Sequence, residues 1–399
     1  MRLISSISLV SIFSFAQLSQ ALVLPSASPI ASTTVENAMP HTFPVPVVIW
    51  HGLGDRYDAA GLIDLKEDLE SRPNLEGIFV HIVQVGQDGA ADQKATFFGN
   101  ANQQIELVCD QLRRLPEIMD QTLNPSGRFD AIGFSQGGQL LRGVVQRCGG
   151  EGGLNVRNLI TLGSQHMGIS ALPPCPPDSS IFSPCRLMHL SLVHSSIYSS
   201  YAQNNIVPAQ YFRNYANSEE LDKYLTGQSF LRDLNNERVG DLQSVTVVQK
   251  EGGQAGRNQT YRENFERLNK LVLFRFSDDQ TVIPPTSAHF TLPRNASTSS
   301  STQHYDPLPL SDLPLYRDDY IGLRKIDERG DLVRRVCKGV HMQIGKKCWE
   351  HVVKWLGPIG DGAETIEELA DEEDRWKLDG EEGLKKEESR GAGEFVIQI

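Results

Sequence analysis

The sequence has no basic stripe, no internal repeat, no cysteine pair at zinc-ligand spacing, and no apolar run beyond its amino terminus long enough to cross a bilayer. Each absence removes a class of function. Without clustered lysine and arginine there is no electrostatic footprint for nucleic acid. Without a later long apolar segment no membrane-spanning helix is expected. Neither a metal nor a cofactor is expected. Negative charge is present but local: of the formal net charge of −12, −9 lies in residues 361–399, which carry fourteen acidic and five basic side chains, and this leaves −3 for the rest. Residues 358–399 therefore read as an acidic, disordered tail, appended to a nearly neutral folded part.

Cysteines are few but even in number: Cys109, Cys148, Cys175, Cys185, Cys337 and Cys348. Residues 3–18 form a largely apolar stretch after Arg2, and small residues follow at Ser19 and Ala21. Residues 1–21 thus read as a secretory signal. In a chain entering that pathway, six cysteines predict three disulfides. Close spacing pairs Cys175 with Cys185 and Cys337 with Cys348, leaving Cys109 with Cys148. Asn258 and Asn295 head glycosylation triplets, whereas the triplet at Asn124 is blocked by Pro125. Residues 22–44, rich in Ser, Thr, Ala and Pro, read as a flexible leader.

Order is expected over residues 45–357. The run Val47-Val48-Ile49-Trp50 reads as a strand that delivers the glycine-rich turn His51-Gly52-Leu53-Gly54-Asp55. Residues 60–71 carry a helical pattern, 77–85 an apolar strand, and 97–119 a long helix burying Ile105, Val108, Leu112 and Leu115. Strand signals return at 158–164 and 271–276, a helical pattern at 315–327, an extended one at 331–336 and a helix at 348–356. This alternation predicts an α/β fold with a mostly parallel central sheet and helices on both faces. Residues 165–261 break the rhythm and read as an insertion over the sheet's carboxyl edge. Its apolar residues, among them Ile181, Phe182, Leu187, Met188, Leu190, Leu192, Ile197, Tyr198 and Tyr201, are expected mainly in internal packing, with some lining a pocket.

The chemistry gathers around Gly133-Phe134-Ser135-Gln136-Gly137, which follows a strand signal and precedes a helical one. In a nucleophile elbow the flanking glycines leave room where the chain doubles back and holds a serine hydroxyl above the sheet. The backbone N–H of Gln136 could then face a substrate oxygen, and the turn after the first strand is where a second such donor sits. A serine hydroxyl needs a base, and the base an orienting acid, in the chain order serine, acid, histidine. Asp278 and Asp279 both follow the strand at 271–276, and position favours Asp279. Of the ten histidines, His289, His304, His341 and His351 lie beyond it. Only His341 falls in a loop between an extended segment and the last helix.

Taken with Gln165-His166-Met167-Gly168 and Gly322-Leu323-Arg324-Lys325-Ile326-Asp327, these motifs resemble the palmitoyl-protein thioesterases of the lysosomal type over residues 45–356. The resemblance implies an α/β-hydrolase fold, with the insertion forming an acyl-pocket subdomain. The implied activity is hydrolysis of long-chain acyl thioesters on S-palmitoylated proteins or peptides. It matches Ser135 to the nucleophile, His341 to the base, Asp279 to the acid, and Leu53 and Gln136 to the oxyanion donors. The pairs Cys109–Cys148 and Cys175–Cys185 match family disulfides. A lysosome or vacuole is the implied destination, secretion the alternative, and a monomer the expected state. A lipase or carboxylesterase acting on oxygen esters is the rival activity, and a non-catalytic lipid-binding protein the rival of another class. Ser164 in place of a glycine, the long Ser/Thr-rich segment near Asn295, the Cys337–Cys348 pair and the acidic tail depart from the family pattern.

Overall fold

The computed structural model describes residues 44–193, 196–227, 229–238, 256–293 and 307–357, together with the backbone of 396–398. The signal and leader segments, Asn295, His304 and residues 358–395 of the acidic tail lie outside the described residues.

In chain order the elements are β1 (Val47–Trp50), α1 (Ala60–Ser71), β2 (Val80–Ile82), α2 (Gly89–Phe97), α3 (Ala101–Arg113), α4 (Pro116–Met119), β3 (Phe129–Phe134), α5 (Gln136–Cys148) and β4 (Val156–Leu162). The insertion follows with α6 (Pro184–Val193), α7 (Ser200–Asn205), α8 (Ser218–Thr226) and α9 (Phe230–Leu234). The chain then returns through α10 (Gln259–Glu266), β5 (Lys270–Phe276), α11 (Pro314–Arg317), α12 (Leu323–Glu328), β6 (Leu332–Cys337), β7 (Gln343–Gly345), α13 (Lys346–Val353) and β8 (Val396–Gln398).

Six strands pair in parallel in the order β2-β1-β3-β4-β5-β6. Parallel strands buried on both faces must send alternate side chains to two cores. Val48 and Trp50 of β1 and Leu271 and Leu273 of β5 enter one core with α3 and α5. Val47 and Ile49, and Val272 and Phe274, enter the other with α1 and α13. The chain leaves β1 for β2 on one side and later places β3 on the other. The side on which strands are added therefore switches at β1, and the carboxyl ends of β1 and β3 at such a switch point are the usual seat of a ligand in such sheets. This is the predicted α/β-hydrolase architecture.

Local chemistry explains where the expected elements differ. The helix expected over 97–119 is three pieces, because Phe97 ends α2, Gly99 takes φ +122°, and Asn100 starts α3 by accepting from the N–H groups of Asn102 and Gln103. Pro116 then opens α4. The helix expected over 315–327 is likewise broken, at Asp319 and Gly322, both at positive φ. The strand expected over 77–85 pairs only at Val80–Ile82. In the insertion, Met188 is buried, but Ile181 and Phe182 are 70% and 76% exposed, and Leu187, Leu190 and Tyr201 are exposed as well. Internal packing is therefore the wrong account of those five. Ile181 and Phe182 lie within the segment closed by Cys175–Cys185, Leu187 and Leu190 follow it on α6, and Tyr201 lies on α7.

All three expected disulfides are present: Cys109–Cys148, Cys175–Cys185 and Cys337–Cys348. The first joins α3 to α5, and the third encloses β7 and the loop before it. Antiparallel pairing of β7 with β8 places residues 396–398 of the expected disordered tail beside Gln343–Gly345. No described helix is long and apolar enough to cross a membrane.

Candidate active site

Three loops at the carboxyl ends of β3, β5 and β6 bring Ser135, Asp279 and His341 together. Ser135 sits between β3 and α5 at φ 48°, ψ −119°, a strained conformation for a residue with a side chain. Its neighbours explain how the strain is held. A Cβ on Gly133 would strike the Gly138 backbone, and one on Gly137 would strike the carbonyl oxygens of Trp50 and His51. The Ser135 N–H donates to the Leu162 carbonyl at 2.8 Å, fixing the turn to β4.

The His341 Nε2 lies 3.0 Å from Ser135 Oγ, and its Nδ1 lies 2.7 Å from Asp279 Oδ2. The other Asp279 oxygen accepts from the N–H groups of Thr281 and Val282 at 2.9 Å. These bonds hold a buried carboxylate whose orientation fixes the ring. Phe276 packs edge-on against the imidazole with centroids 5.9 Å apart. Space for the ring comes from Gly163, at φ +60°, where a Cβ would lie 2.9 Å from His341 Cε1. Asp278 is exposed, accepts from the Ser277 hydroxyl and does not meet the imidazole.

The other histidines are elsewhere. His289, expected in a strand, ends the 3-10 turn Pro285–His289, where its Nε2 donates to the Arg335 carbonyl. Burial pushes it down to about 3. His351 lies in α13. That helix is anchored to α1 by Trp349, whose indole N–H donates to Asp68, and by Arg72, which bridges Asp68 and Glu350. The anchor steadies the chain just beyond His341.

Leu53 follows β1 next to Gly52, where a Cβ would lie 3.1 Å from Ser135 Cβ. Among the described residues, neither the Leu53 nor the Gln136 N–H donates to a protein acceptor. The Gln136 N–H opens α5, where the helix dipole adds partial positive charge. A hydroxyl hydrogen-bonded to an imidazole, a carboxylate behind that ring and two uncommitted N–H groups are the components of acyl transfer. Ser164 is fully buried and fills the space above Gly138. Asn258 is exposed and caps α10 by accepting from the Tyr261 N–H.

The sequence reading missed the polar layer behind the glycine-rich turn. Asp92 is fully buried, 2.8 Å from His51 Nε2, and accepts from the N–H groups of Tyr57, Val85 and Gly86. Burial alone would raise its carboxyl, but His51 and those N–H groups outweigh burial and hold it below the ordinary value. The usable signal was a shared face: Asp92 and Thr96 stand four apart on α2.

Residues 46–341 match the palmitoyl protein thioesterase family. Palmitoyl-protein thioesterase 1 of Caenorhabditis elegans is 30% identical over 318 residues, 79% of this chain and 92% of the relative. A palmitoyl-protein thioesterase-dolichyl pyrophosphate phosphatase fusion from Schizosaccharomyces pombe is 31% identical over 75% of this chain, which spans 41% of that longer protein. A lysosomal thioesterase homologue from Drosophila melanogaster is 26% identical over 61% of this chain and 69% of its own.

Proposed function

Since the chain belongs to the palmitoyl protein thioesterase family and is a hydrolase, we propose that it cleaves long-chain acyl thioesters from protein cysteines with Ser135, His341 and Asp279. The observation that carries the reading is the continuous set of contacts from Asp279 through His341 to Ser135.

His341 Nε2 takes the Ser135 proton as Oγ attacks the thioester carbonyl carbon. The oxygen gains charge between the N–H groups of Leu53 and Gln136, neither of which is committed to a protein acceptor among the described residues. The carbon–sulfur bond then breaks. The cysteine sulfur leaves with the proton from His341, and an acyl-serine remains. Water gives a proton to the same nitrogen as its oxygen attacks the acyl carbon, the bond from that carbon to Ser135 Oγ breaks, and His341 returns the proton to Oγ as the fatty acid leaves. Asp279 keeps Nδ1 protonated and stabilises the imidazolium at each stage.

A groove of about 420 Å³ between α2 and α6, lined by Lys94, Phe98, Leu187, Leu190 and Ser191, supports an acyl-binding role for the insertion. Leu53 packs against the same small apolar cluster as Phe98, one of the residues that line the groove. The similarity to a protein named as lysosomal and the signal-like character of residues 1–21 together support a lysosomal or vacuolar destination. Rates on a palmitoyl-thioester peptide and on the matched serine ester test the substrate class. A higher kcat/KM on the thioester supports it; a clear preference for the oxygen ester would make the chain an esterase.

A further inference from the structure

The turn carrying Leu53 lies outside any strand or helix, yet a misplacement of about 1 Å in a catalytic group can cost on the order of 100-fold in rate. What fixes the turn is α2. Thr96, 4% exposed, accepts the Gly54 N–H on its hydroxyl at 2.8 Å, and the hydroxyl proton goes to the Gln93 carbonyl at 2.7 Å. The Gln93 side-chain amide donates back to the Gly54 carbonyl at 2.6 Å. Both backbone groups of the residue beside Leu53 are therefore bound to one turn of α2.

Thr96 also reaches the second donor. Its carbonyl accepts from Gln136 Nε2 at 3.1 Å, and the other end of that amide accepts from the Tyr211 hydroxyl at 2.9 Å. Gln136 and Tyr211 are each 1% exposed, so the chain of bonds runs out of reach of solvent. The helix is itself fixed from below by Asp92, through His51 and the N–H groups of Tyr57, Val85 and Gly86.

We propose that Thr96 is a positioning residue that holds the two halves of the oxyanion site in register, its hydroxyl setting the Leu53 turn and its carbonyl the Gln136 side. This rests on the Leu53 and Gln136 roles proposed above. Thr96→Val keeps the shape and removes the hydroxyl, and Thr96→Ser restores it. The expected result for Thr96→Val is a kcat about tenfold lower on the palmitoyl thioester with KM within twofold, smaller than the ~100-fold or more of losing a donor outright. Thr96→Ser should recover kcat to within about threefold. A long-chain trifluoromethyl ketone, whose serine adduct carries the oxyanion, should bind Thr96→Val about tenfold more weakly, while palmitate binds unchanged.

Wild-type kcat in Thr96→Val, or an equal loss of palmitate and ketone affinity, overturns the proposal. If Thr96→Val does not fold, Gln93→Met and Tyr211→Phe each remove one bond of the same network and must show the same split between ketone and palmitate. Should the wild type prefer oxygen esters, the proposed substrate fails. The Thr96→Val to Thr96→Ser ratio, read on the ester, still decides the positioning role.

Discussion

Replacing Gly163 with alanine tests how tightly the imidazole is seated. The residue follows β4 at φ +60°, so any side chain costs about 1 kcal/mol in backbone strain. The new Cβ would also lie 2.9 Å from His341 Cε1, 3.1 Å from Nδ1 and 2.8 Å from the Met342 methyl. Carbon atoms settle near ~3.5–4.0 Å, so the ring must retreat by roughly half an ångström or more. It is already bound on both sides, at 2.7 Å to Asp279 and 3.0 Å to Ser135. A retreat of that size stretches the Ser135 contact toward ~3.5 Å, where proton transfer fails, and a loss of about 100-fold in kcat follows. Gly77→Ala separates the two effects, because Gly77 has φ +80° and nothing within 4 Å of its Cβ position. Urea denaturation should show the backbone loss of about 1 kcal/mol in both variants and a further loss from the clash in Gly163→Ala, and thioester hydrolysis a large kcat loss only in Gly163→Ala. Near-wild-type turnover in folded Gly163→Ala would refute the reasoning.

The Cys337–Cys348 bridge closes a short loop around His341 and β7, with a sequence separation of 11. Replacing both cysteines by serine should lower stability by about 3 kcal/mol in urea and reduce kcat, whereas the similarly spaced Cys175–Cys185 should cost comparable stability with less effect on kcat. His166 is fully buried against Phe290, and burial holds its imidazole well below the usual value. The unfolded chain protonates it below about pH 6.5 and the folded chain does not. Its contribution is thus present above that pH and lost as pH falls, at up to about 1.4 kcal/mol per unit. His166→Gln should flatten this slope in pH-dependent denaturation. Asp130, pushed up to about 6 by burial, acts oppositely, so the change between variants, not the total slope, reads His166.

Residues whose placement follows from neighbours in sequence were legible. Gly133 and Gly137 announce the elbow because the turn's sterics are local. Asp279 and His341 follow from strand ends and chain order. Thr96 was not legible, because α2 is short and polar, and its purpose lies in bonds to Gly54 and Gln136, some forty residues away on either side. Tyr211 escaped for the same reason, reaching back from the insertion to Gln136. The exposed Ile181 and Phe182 were misjudged because apolar character reports a preference for burial, not whether a surface exists to receive it.

The central claim is that Ser135 is the acyl-carrying nucleophile activated by His341. Peptide mass mapping after treatment with a long-chain fluorophosphonate tests it directly, with thioester hydrolysis followed in parallel. The account predicts a single adduct on Ser135 that forms in step with loss of hydrolysis, is abolished in Ser135→Ala and is strongly slowed in His341→Ala. An adduct on another residue, or continued hydrolysis by a folded Ser135→Ala, would contradict it.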